Sequence, residues 1–349
     1  MKKYQIVYVV FGGRKEFINE AKFSAVSAYA RLKSNRTEIL FTVCTDTPED
    51  FSDISFLNVE TISTDTFKEY FGKDNYIYRT KPIVLQKVLQ NAEKSILIDT
   101  DTIFKESPEV LFELVSKDCV LVDDKCAVWT AKLSRPLDKY LKEVFHLRKN
   151  MDLVNSGLIG LVREDAHILE KTTRMIDELY KPSDGQRTIE QFALAVVIKL
   201  ENYKITENAD KYVKHYWSRK HIYQAMGNHW LEKFAGKLES EEALIEIKTV
   251  PVTLPKLPLL EKAKVKLKAK AQPKEYRQFF KELHKALYPY KNEYFRAACN
   301  VALEKAFENL KEKKSENLVE VKKIFKELVD QYCHVNSDLS KDKMMDIEF

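Results

Sequence analysis

The chain has 349 residues, of which 44% are hydrophobic and 32% are charged, and its formal net charge at pH 7 is +5. This composition excludes a fully disordered protein, and the length allows one large α/β domain with an appendage or two domains. No run of 18 or more uncharged apolar residues occurs, so the sequence predicts no membrane-spanning helix.

The N-terminus and the cysteines both predict a cytoplasmic protein. The opening segment, MKKYQIVYVVFGG, has an apolar stretch of only eight residues and no small-residue cleavage site, so we interpret it as a first β-strand. The five cysteines are scattered along the chain and form no CxxC pair. We therefore expect reduced thiols rather than a zinc site or a disulfide framework.

Strand-like and helix-like patterns alternate through the first two hundred residues. Strand-like segments cover residues 4–11, 38–46, 57–62 and 95–99, and helix-like segments cover residues 16–33, 79–92 and 107–115. This alternation predicts an α/β fold with a mostly parallel sheet that is covered by helices on both faces. Ligands of such sheets bind beyond the carboxyl ends of the strands, where Asp46, Asp99 and Asp101 fall.

The pattern changes after residue 250, and we predict three regions. Residues 1–250 form the α/β domain, residues 251–274 form a connector rich in proline and lysine, and residues 275–349 form a helical C-terminal extension. Within the connector, lysine occupies every second position from Lys262 to Lys270. This period of two predicts no clean amphipathic helix.

The positive charge is concentrated in one segment. From Lys256 to Lys274 there are seven lysines and a single glutamate, a local net charge of +6 that exceeds the +5 of the whole chain. A nucleic-acid-binding protein of the ordinary kind spreads basic residues over a folded face, with aromatic residues between them. We therefore predict no nucleic-acid partner, and we expect this segment to contact an anionic membrane surface, with the protein peripheral at its inner face.

The segment KSILIDTDTIF places two carboxylates, Asp99 and Asp101, at the end of a strand that is otherwise apolar. Three interpretations compete: a phosphatase nucleophile with its acid, a pair of ligands for a divalent metal, or the polar start of a turn. The phosphatase pattern DxDGT is not matched, because no glycine follows Asp101 and the fifth position is Ile103. Two carboxylates one residue apart can instead bind Mn²⁺ or Mg²⁺ and leave coordination positions open for phosphate oxygens.

Three later segments accompany the acidic pair in a fixed order. They are DLVNSGLIGL (152–161), RTIEQFALAVV (187–197) and VKHYWSRK (213–220). With this set, the chain from about residue 4 to residue 225 resembles the GT-A type of nucleotide-sugar-dependent glycosyltransferase, of the bacterial kind that assembles cell-surface glycans. The resemblance implies a Rossmann-like GT-A fold and a divalent metal, Mn²⁺ or Mg²⁺. It also implies transfer of a sugar, expected to be a hexose, from a nucleoside diphosphate donor such as a UDP-sugar to a glycan or lipid-linked acceptor.

The resemblance further implies roles for individual residues. Asp99, Asp101 and His215 would bind the metal. Glu190 would act near the reacting carbon, as the base of an inverting enzyme or as a sugar contact in a retaining one. The residues expected to bind the donor are Asp46, Arg79, Lys81, Asp99, Asn155, Ser156, Gly157 and Lys220. Of these, Arg79 is the first choice for contact with the diphosphate.

Several of these residues also have a purely structural interpretation. Glu190 could be the charge at a helix N-terminus, residues 155–157 could pack as a small-residue strand, and Trp129 and Trp217 could stack on a sugar or fill the core. Two other functions stay open. A sugar nucleotidyltransferase is one, although the FGG loop (11–13) lacks the proline and lysine of that class, and a noncatalytic binding module on a relic fold is the other. The sequence does not decide between inversion and retention.

Overall fold

A computed structural model describes residues 2–33, 38–126, 135–147, 151–208, 210–312 and Lys326. The chain divides into two compact units. Unit 1 consists of Met1–Tyr216 with Gly236–Lys248, and unit 2 consists of Trp217–Ala235 with Thr249–Phe349. This division differs from the predicted boundary at residue 250, because Trp217–Ala235 groups with the C-terminal part of the chain. The predicted stacking residue Trp129 lies outside the described residues.

Strands and helices alternate along unit 1, as the sequence predicts. The strands are β1 (Lys2–Val10), β2 (Ile39–Thr45), β3 (Leu57–Thr61), β4 (Ala92–Ile98), β5 (Thr102–Phe104), β6 (Cys119–Cys126), β7 (Leu153–Val162), β8 (Lys204–Glu207) and β9 (Val213–His215). The helices are α1 (Lys15–Tyr29), α2 (Thr64–Phe71), α3 (Thr80–Val88), α4 (Glu109–Leu114), α5 (Arg135–Val144), α6 (His167–Leu179), α7 (Ile189–Leu200), α8 (Lys220–Lys233), α9 (Glu241–Glu246), α10 (Leu259–Ala271), α11 (Arg277–Leu287) and α12 (Glu293–Glu312). Helices α8, α10, α11 and α12 belong to unit 2.

The main sheet of unit 1 has seven strands in the order β3-β2-β1-β4-β7-β6-β8. Strands β3, β2, β1 and β4 run parallel, β7 runs antiparallel to both of its neighbours, and β8 is parallel to β6. The short strands β5 and β9 form a separate antiparallel pair. The predicted α/β fold, with a mainly parallel sheet between helices, is confirmed. One edge of the sheet therefore collects the carboxyl ends of six strands and the amino end of β7.

The core of unit 1 lies on both faces of this sheet. Ile6 and Val7 are neighbours in β1, and Ile96 and Leu97 are neighbours in β4, yet the members of each pair belong to different apolar clusters. The reason is that successive side chains of a strand point to opposite faces. Strands that are buried on both faces appear in the sequence as continuous apolar runs, which is why they are predictable from it.

The described residues of unit 2 form helices α8, α10, α11 and α12, of which the sequence does not predict α10. Helix α10 spans most of the predicted connector, where alternating lysines indicated no clean helix. Its Val265 and Ala269, one turn apart, are buried with Leu283 of α11 in the core of unit 2. Leucine, lysine and alanine all have high helix propensity, so a narrow apolar contact is sufficient to fix this segment as a helix. None of the helices in the described parts of the chain is long and apolar enough to cross a membrane.

Candidate metal site

The acidic pair follows β4 in a tight turn that the chain's own hydrogen bonds hold. The Asp99 amide donates to the carbonyl of Gly157 in β7 at 2.8 Å. The Thr102 hydroxyl donates back to the Asp99 carbonyl at 2.9 Å, and the Thr100 hydroxyl donates to the Glu20 carboxylate of α1 at 2.9 Å. Asp99 and Asp101 are therefore fixed at the carboxyl edge of the sheet before any ligand binds.

His215 reaches the acidic pair through the small sheet. The ladder between β5 and β9 places Thr102 opposite His215, and the next amide, that of Tyr216, donates to the Asp101 carbonyl at 3.0 Å. The His215 Nε2 atom then lies 3.3 Å from Asp101 Oδ1 and 3.8 Å from Asp99 Oδ2. Asp99 and Asp101 are far from His215 in the sequence, and they become its neighbours because the three-residue strands β5 and β9 pair.

Gly157 makes room for the imidazole. A Cβ atom at this position would lie 2.2 Å from His215 Cε1 and 2.3 Å from His215 Nδ1, distances that real Cβ contacts do not show. The Gly157 amide donates a hydrogen bond to the Asn155 side-chain oxygen at 2.8 Å, which holds the glycine in place within the strand. The sequence predicts that Gly157 contacts the nucleotide-sugar donor, for which a residue without a side chain gives space. In the structure, the His215 ring occupies the space beside the Gly157 backbone.

Asp123 orients the histidine, although it is not among the site residues that the sequence predicts. The Asp123 Oδ2 atom lies 2.8 Å from His215 Nδ1, and its Oδ1 accepts from the Asn208 amide group at 3.1 Å. The register of β6 and β7 shifts between Val122 and Asp124, and such a bulge redirects a side chain relative to regular pairing. The signal in the sequence is the acid pair 123–124, which directly follows the apolar residues 120–122 within β6.

Burial and charge act against each other on His215. Burial by itself would lower the pKa of the imidazole, but the carboxylates of Asp101, Asp123 and Asp99 outweigh it and raise the pKa to about 10. Without a metal ion, the ring at neutral pH is therefore a cation between carboxylates. A bound metal would take the place of the Nε2 proton.

We call Asp99, Asp101 and His215 the metal group, because they could hold a metal ion. One ligand atom from each residue lies within 4.8 Å of the other two. Two carboxylates and one imidazole suit Mn²⁺ or Mg²⁺ and leave further positions for water or phosphate oxygens. The carboxylate that fixes the second ring nitrogen, Asp123, is the support that metal-binding histidines usually have. The three residues predicted as metal ligands thus lie together in the structure.

Lys81 is the cation that is hydrogen-bonded to the metal group. Its Nζ lies 2.6 Å from Asp99 Oδ1 and donates to the Ser156 carbonyl at 3.4 Å. Burial opposes the charge, but Asp99 and Glu190 raise the pKa of Lys81 above its usual value. The first-choice residue Arg79 is held elsewhere, by ion-pair contacts of 2.7 and 2.8 Å with Asp177. Lys81 therefore lies at the metal group and Arg79 is paired with Asp177; the predicted donor contacts of both residues stay predictions.

Glu190 lies in a separate set of buried side chains with Tyr76 and Ser156, which we call the Glu190 group. Ser156 donates to Glu190 Oε1 at 3.0 Å, and the Tyr76 hydroxyl is hydrogen-bonded to Glu190 Oε2. Burial raises the pKa of Glu190, and Lys81 together with these hydroxyls offsets only part of the effect. Both carboxylate oxygens are engaged by the protein. The predicted catalytic role of Glu190 and the predicted sugar contact of Ser156 stay predictions.

The other predicted donor residues occupy varied positions. Asp46, at the end of β2, accepts from the Gly12 amide at 3.1 Å and so holds the FGG loop at the carboxyl edge of the sheet. Asn155 lies in β7 at the same edge, because β7 runs antiparallel to β4. Lys220 is the first residue of α8 and belongs to unit 2. Trp217 also belongs to unit 2, and its side chain is exposed. The roles of these residues stay predictions.

Fold and site together define an α/β protein with a candidate divalent-metal site at the carboxyl edge of its sheet. No protein-family model matches the chain, and no curated protein sequence matches it. Among solved structures, the chain is similar to mouse xyloside xylosyltransferase 1 in its apo form. The similarity has a TM-score of 0.43 and 12% sequence identity, and it covers 60% of this chain and 86% of the mouse chain. A similarity of this size assigns no function.

Proposed function

We propose that this chain is a metal-dependent glycosyltransferase that moves a sugar from a nucleoside diphosphate sugar to an acceptor hydroxyl. The observation that carries the proposal is the metal group, in which Asp99, Asp101 and His215 converge at the edge of the sheet where α/β proteins bind ligands. A strand-end carboxylate pair with a histidine and a neighbouring lysine supplies a metal site and a cation, both of which can neutralise charge that develops on a diphosphate leaving group.

Each residue of the site has a proposed task. Asp99, Asp101 and His215 would hold Mn²⁺ or Mg²⁺, which when bound neutralises charge on the diphosphate. Lys81 contributes a second positive charge, and its hydrogen bond to Asp99 keeps that charge beside the metal group. Asp123 keeps the His215 ring in one orientation by its 2.8 Å contact with Nδ1. Asp46, Asn155 and the FGG loop, which lie at the same edge, are proposed to contact the nucleotide or the sugar.

The donor and acceptor are proposed from the sequence resemblance. We propose a UDP-hexose as donor and a glycan or lipid-linked acceptor of cell-surface polysaccharide assembly, at the cytoplasmic side of a membrane. The phosphatase alternative loses support from the geometry, because both aspartates of the pair lie within reach of His215 and one of them is paired with Lys81. Neither carboxylate is then placed as a free nucleophile.

A thermal-shift screen with product analysis tests the proposal. We expect a nucleoside diphosphate sugar to raise the melting temperature only when Mn²⁺ or Mg²⁺ is present, and a chelator to reverse the shift. Binding at 100 times the dissociation constant stabilises a fold by about 2.7 kcal/mol, which such a screen detects. Incubation of that donor with candidate acceptors should release nucleoside diphosphate.

The same experiment separates the rivals. Release of pyrophosphate from a nucleoside triphosphate and a sugar phosphate would identify a nucleotidyltransferase and contradict our proposal. Metal-dependent donor binding with neither transfer nor donor hydrolysis would support the noncatalytic module. Binding that is the same with and without metal would remove the role of the metal group.

A further inference from the structure

The outward face of helix α10 carries an apolar stripe. Val265 and Ala269 face the core of unit 2. At about 100° per residue, the opposite side of the helix presents the positions 260, 263, 267 and 271, spaced by three or four residues as on one helical face. Leu260 is 78% exposed and Leu267 is 68% exposed, and Leu259 at the start of the helix is 85% exposed. The helix therefore has two apolar sides, of which one has no cover among the described residues.

Lysines border this stripe on both sides. By the same helical spacing, Lys264 and Lys268 lie along one border, and Lys266 and Lys270 lie along the other. Lys264 forms an ion pair with the neighbouring Glu261 at 2.8 Å. In the part of the chain that the structure describes, the other three lysines form no ion pair within 4.0 Å. The lysine alternation that argued against an amphipathic helix in fact frames an apolar stripe with positive charge.

We propose that α10 docks unit 2 on an anionic lipid surface, with Leu260 and Leu267 below the headgroups and the four flanking lysines among them. Long lysine stems keep their charge at the headgroup level while the helix sinks, so both borders can bind while the centre is buried. Helices that lie in a membrane interface have this pattern of an apolar face with lysine-rich borders. The inference gives the predicted membrane contact of residues 256–274 its residues and its orientation.

Lipid fits this face better than nucleic acid or an acidic protein surface. The stripe contains leucine and alanine and no aromatic side chain, so bases have nothing on which to stack. Leucines exposed in the middle of a positively charged helix face gain free energy only where they leave water. A bilayer interface offers both the acyl region and the anionic headgroups at once.

Flotation of the full-length protein with vesicles tests this proposal. We expect binding to vesicles of phosphatidylcholine with 30% phosphatidylglycerol, weaker binding at high salt, and at least tenfold weaker binding to pure phosphatidylcholine; each lysine near an anionic surface contributes about 1 kcal/mol. The proposal names a partner of the proposed transferase. Its test measures binding alone, so a failed membrane assay leaves the donor-binding result untouched, and the reverse also holds.

Matched variants separate the stripe from the charge. Leu260→Ser with Leu267→Ser should weaken vesicle binding at least tenfold, whereas Ile245→Ser, which changes an exposed apolar residue of unit 1 (58% exposed), should leave it unchanged. Glutamine at the four border lysines should abolish the dependence on phosphatidylglycerol. Glutamine at four exposed lysines outside α10 is the matched charge control, at Lys15, Lys73, Lys117 and Lys181.

A gain-of-signal variant guards against misfolding of the serine variant. Leu267→Trp should bind at least as well as the unchanged protein, and its fluorescence should shift to the blue and be quenched by brominated acyl chains. Vesicle binding that is unchanged in the double serine variant, or a tryptophan that stays in water, would overturn the proposal. So would tighter binding to an oligonucleotide than to vesicles, or a dimer that the double serine variant dissociates.

Discussion

The metal group and the Glu190 group are both sets of polar side chains at the carboxyl edge of one sheet, but they differ in burial and in the contacts of their oxygens. The Asp99 side chain is 24% exposed, and one ligand atom from each residue of the metal group lies within 4.8 Å of the other two. Glu190 is 4% exposed, and hydroxyl groups of Tyr76 and Ser156 engage both of its carboxylate oxygens.

Burial and a shifted pKa alone do not identify a group that binds a ligand. Both groups contain a residue with a raised pKa, yet the metal group brings three possible ligand atoms together, whereas neutral hydroxyl groups are hydrogen-bonded to both oxygens of Glu190. Lys81 connects the two groups, because it is hydrogen-bonded to Asp99 and because the negative charge of Glu190 helps to raise the pKa of Lys81. Substitutions on the two sides should therefore have different consequences for metal, donor and fold.

The largest effect is expected for Asp101→Asn. The substitution keeps the shape of the side chain and removes the charge that a divalent ion needs, so Mn²⁺ affinity measured by calorimetry should fall by at least about 100-fold. Donor-dependent thermal stabilisation should disappear with it. Asp124→Asn, at an exposed acid of β6, is the control and should change neither. Full metal-dependent donor binding in Asp101→Asn would contradict the assignment of the site.

Asp123→Asn should have the next largest effect, although Asp123 is not among the three residues of the metal group. Loss of the carboxylate at His215 Nδ1 lets the ring reorient and lowers its pKa, and supports of this kind change metal affinity by about 10- to 100-fold. Histidine NMR titration should report the lower pKa directly. An unchanged pKa with unchanged metal affinity would make Asp123 a packing residue only.

Metal affinity should rise with pH while the metal-free fold weakens. The pKa of His215 is raised from 6.5 to about 10, so below pH 10 a metal ion competes with a proton, and affinity should rise by up to about tenfold per pH unit. The same raised pKa stabilises the metal-free fold fully below about pH 6.5, and this contribution is lost as the pH rises through 10. Calorimetry and urea unfolding from pH 6 to 8.5 should show opposite slopes. His215→Gln should flatten both.

Gly157→Ala and Gly160→Ala form a matched pair in β7. Each methyl group would meet side chains too closely: that of Gly157 at His215, and that of Gly160 at 2.9 Å from Val115 Cγ2. Both should lose about 1–3 kcal/mol of unfolding free energy. Only Gly157→Ala displaces the imidazole, so only this variant should lose metal affinity, by roughly tenfold. Equal metal affinity in the two variants would show that the ring can move without consequence.

Glu190→Gln should have the smallest effect on turnover. A glutamine can keep one hydrogen bond to each hydroxyl, so we expect a folded protein whose turnover falls by less than about tenfold through weaker positioning of Ser156 and Lys81. A general base contributes about 10²- to 10⁴-fold. A loss of that size in kcat, with donor KM and unfolding free energy unchanged, would support the catalytic role that the sequence predicts.

Local sequence patterns predict much of the fold and part of the candidate site. The apolar runs of β1 and β4 predict buried parallel strands, and an acid at a strand end predicts a position at the carboxyl edge of the sheet, where the structure places Asp99 and Asp101. Helix α10 was missed because a period of two in the lysines hides a period of three to four in the leucines and alanines. The grouping of Trp217–Ala235 with the C-terminal helices was also missed, because contacts between distant segments leave no local signal.

Residue identity and spacing specify the chemistry available at this site: two carboxylates one residue apart, a histidine, a lysine and a glycine. Which of these side chains meet depends on the tertiary structure. The pairing of β5 with β9 brings His215 to Asp101, a bulge in β6 turns Asp123 towards the ring, and an ion pair with Asp177 holds Arg79 while Lys81 pairs with Asp99. Register, bulges and ion-pair choice depend on contacts between residues far apart in the chain, and a local pattern cannot encode them.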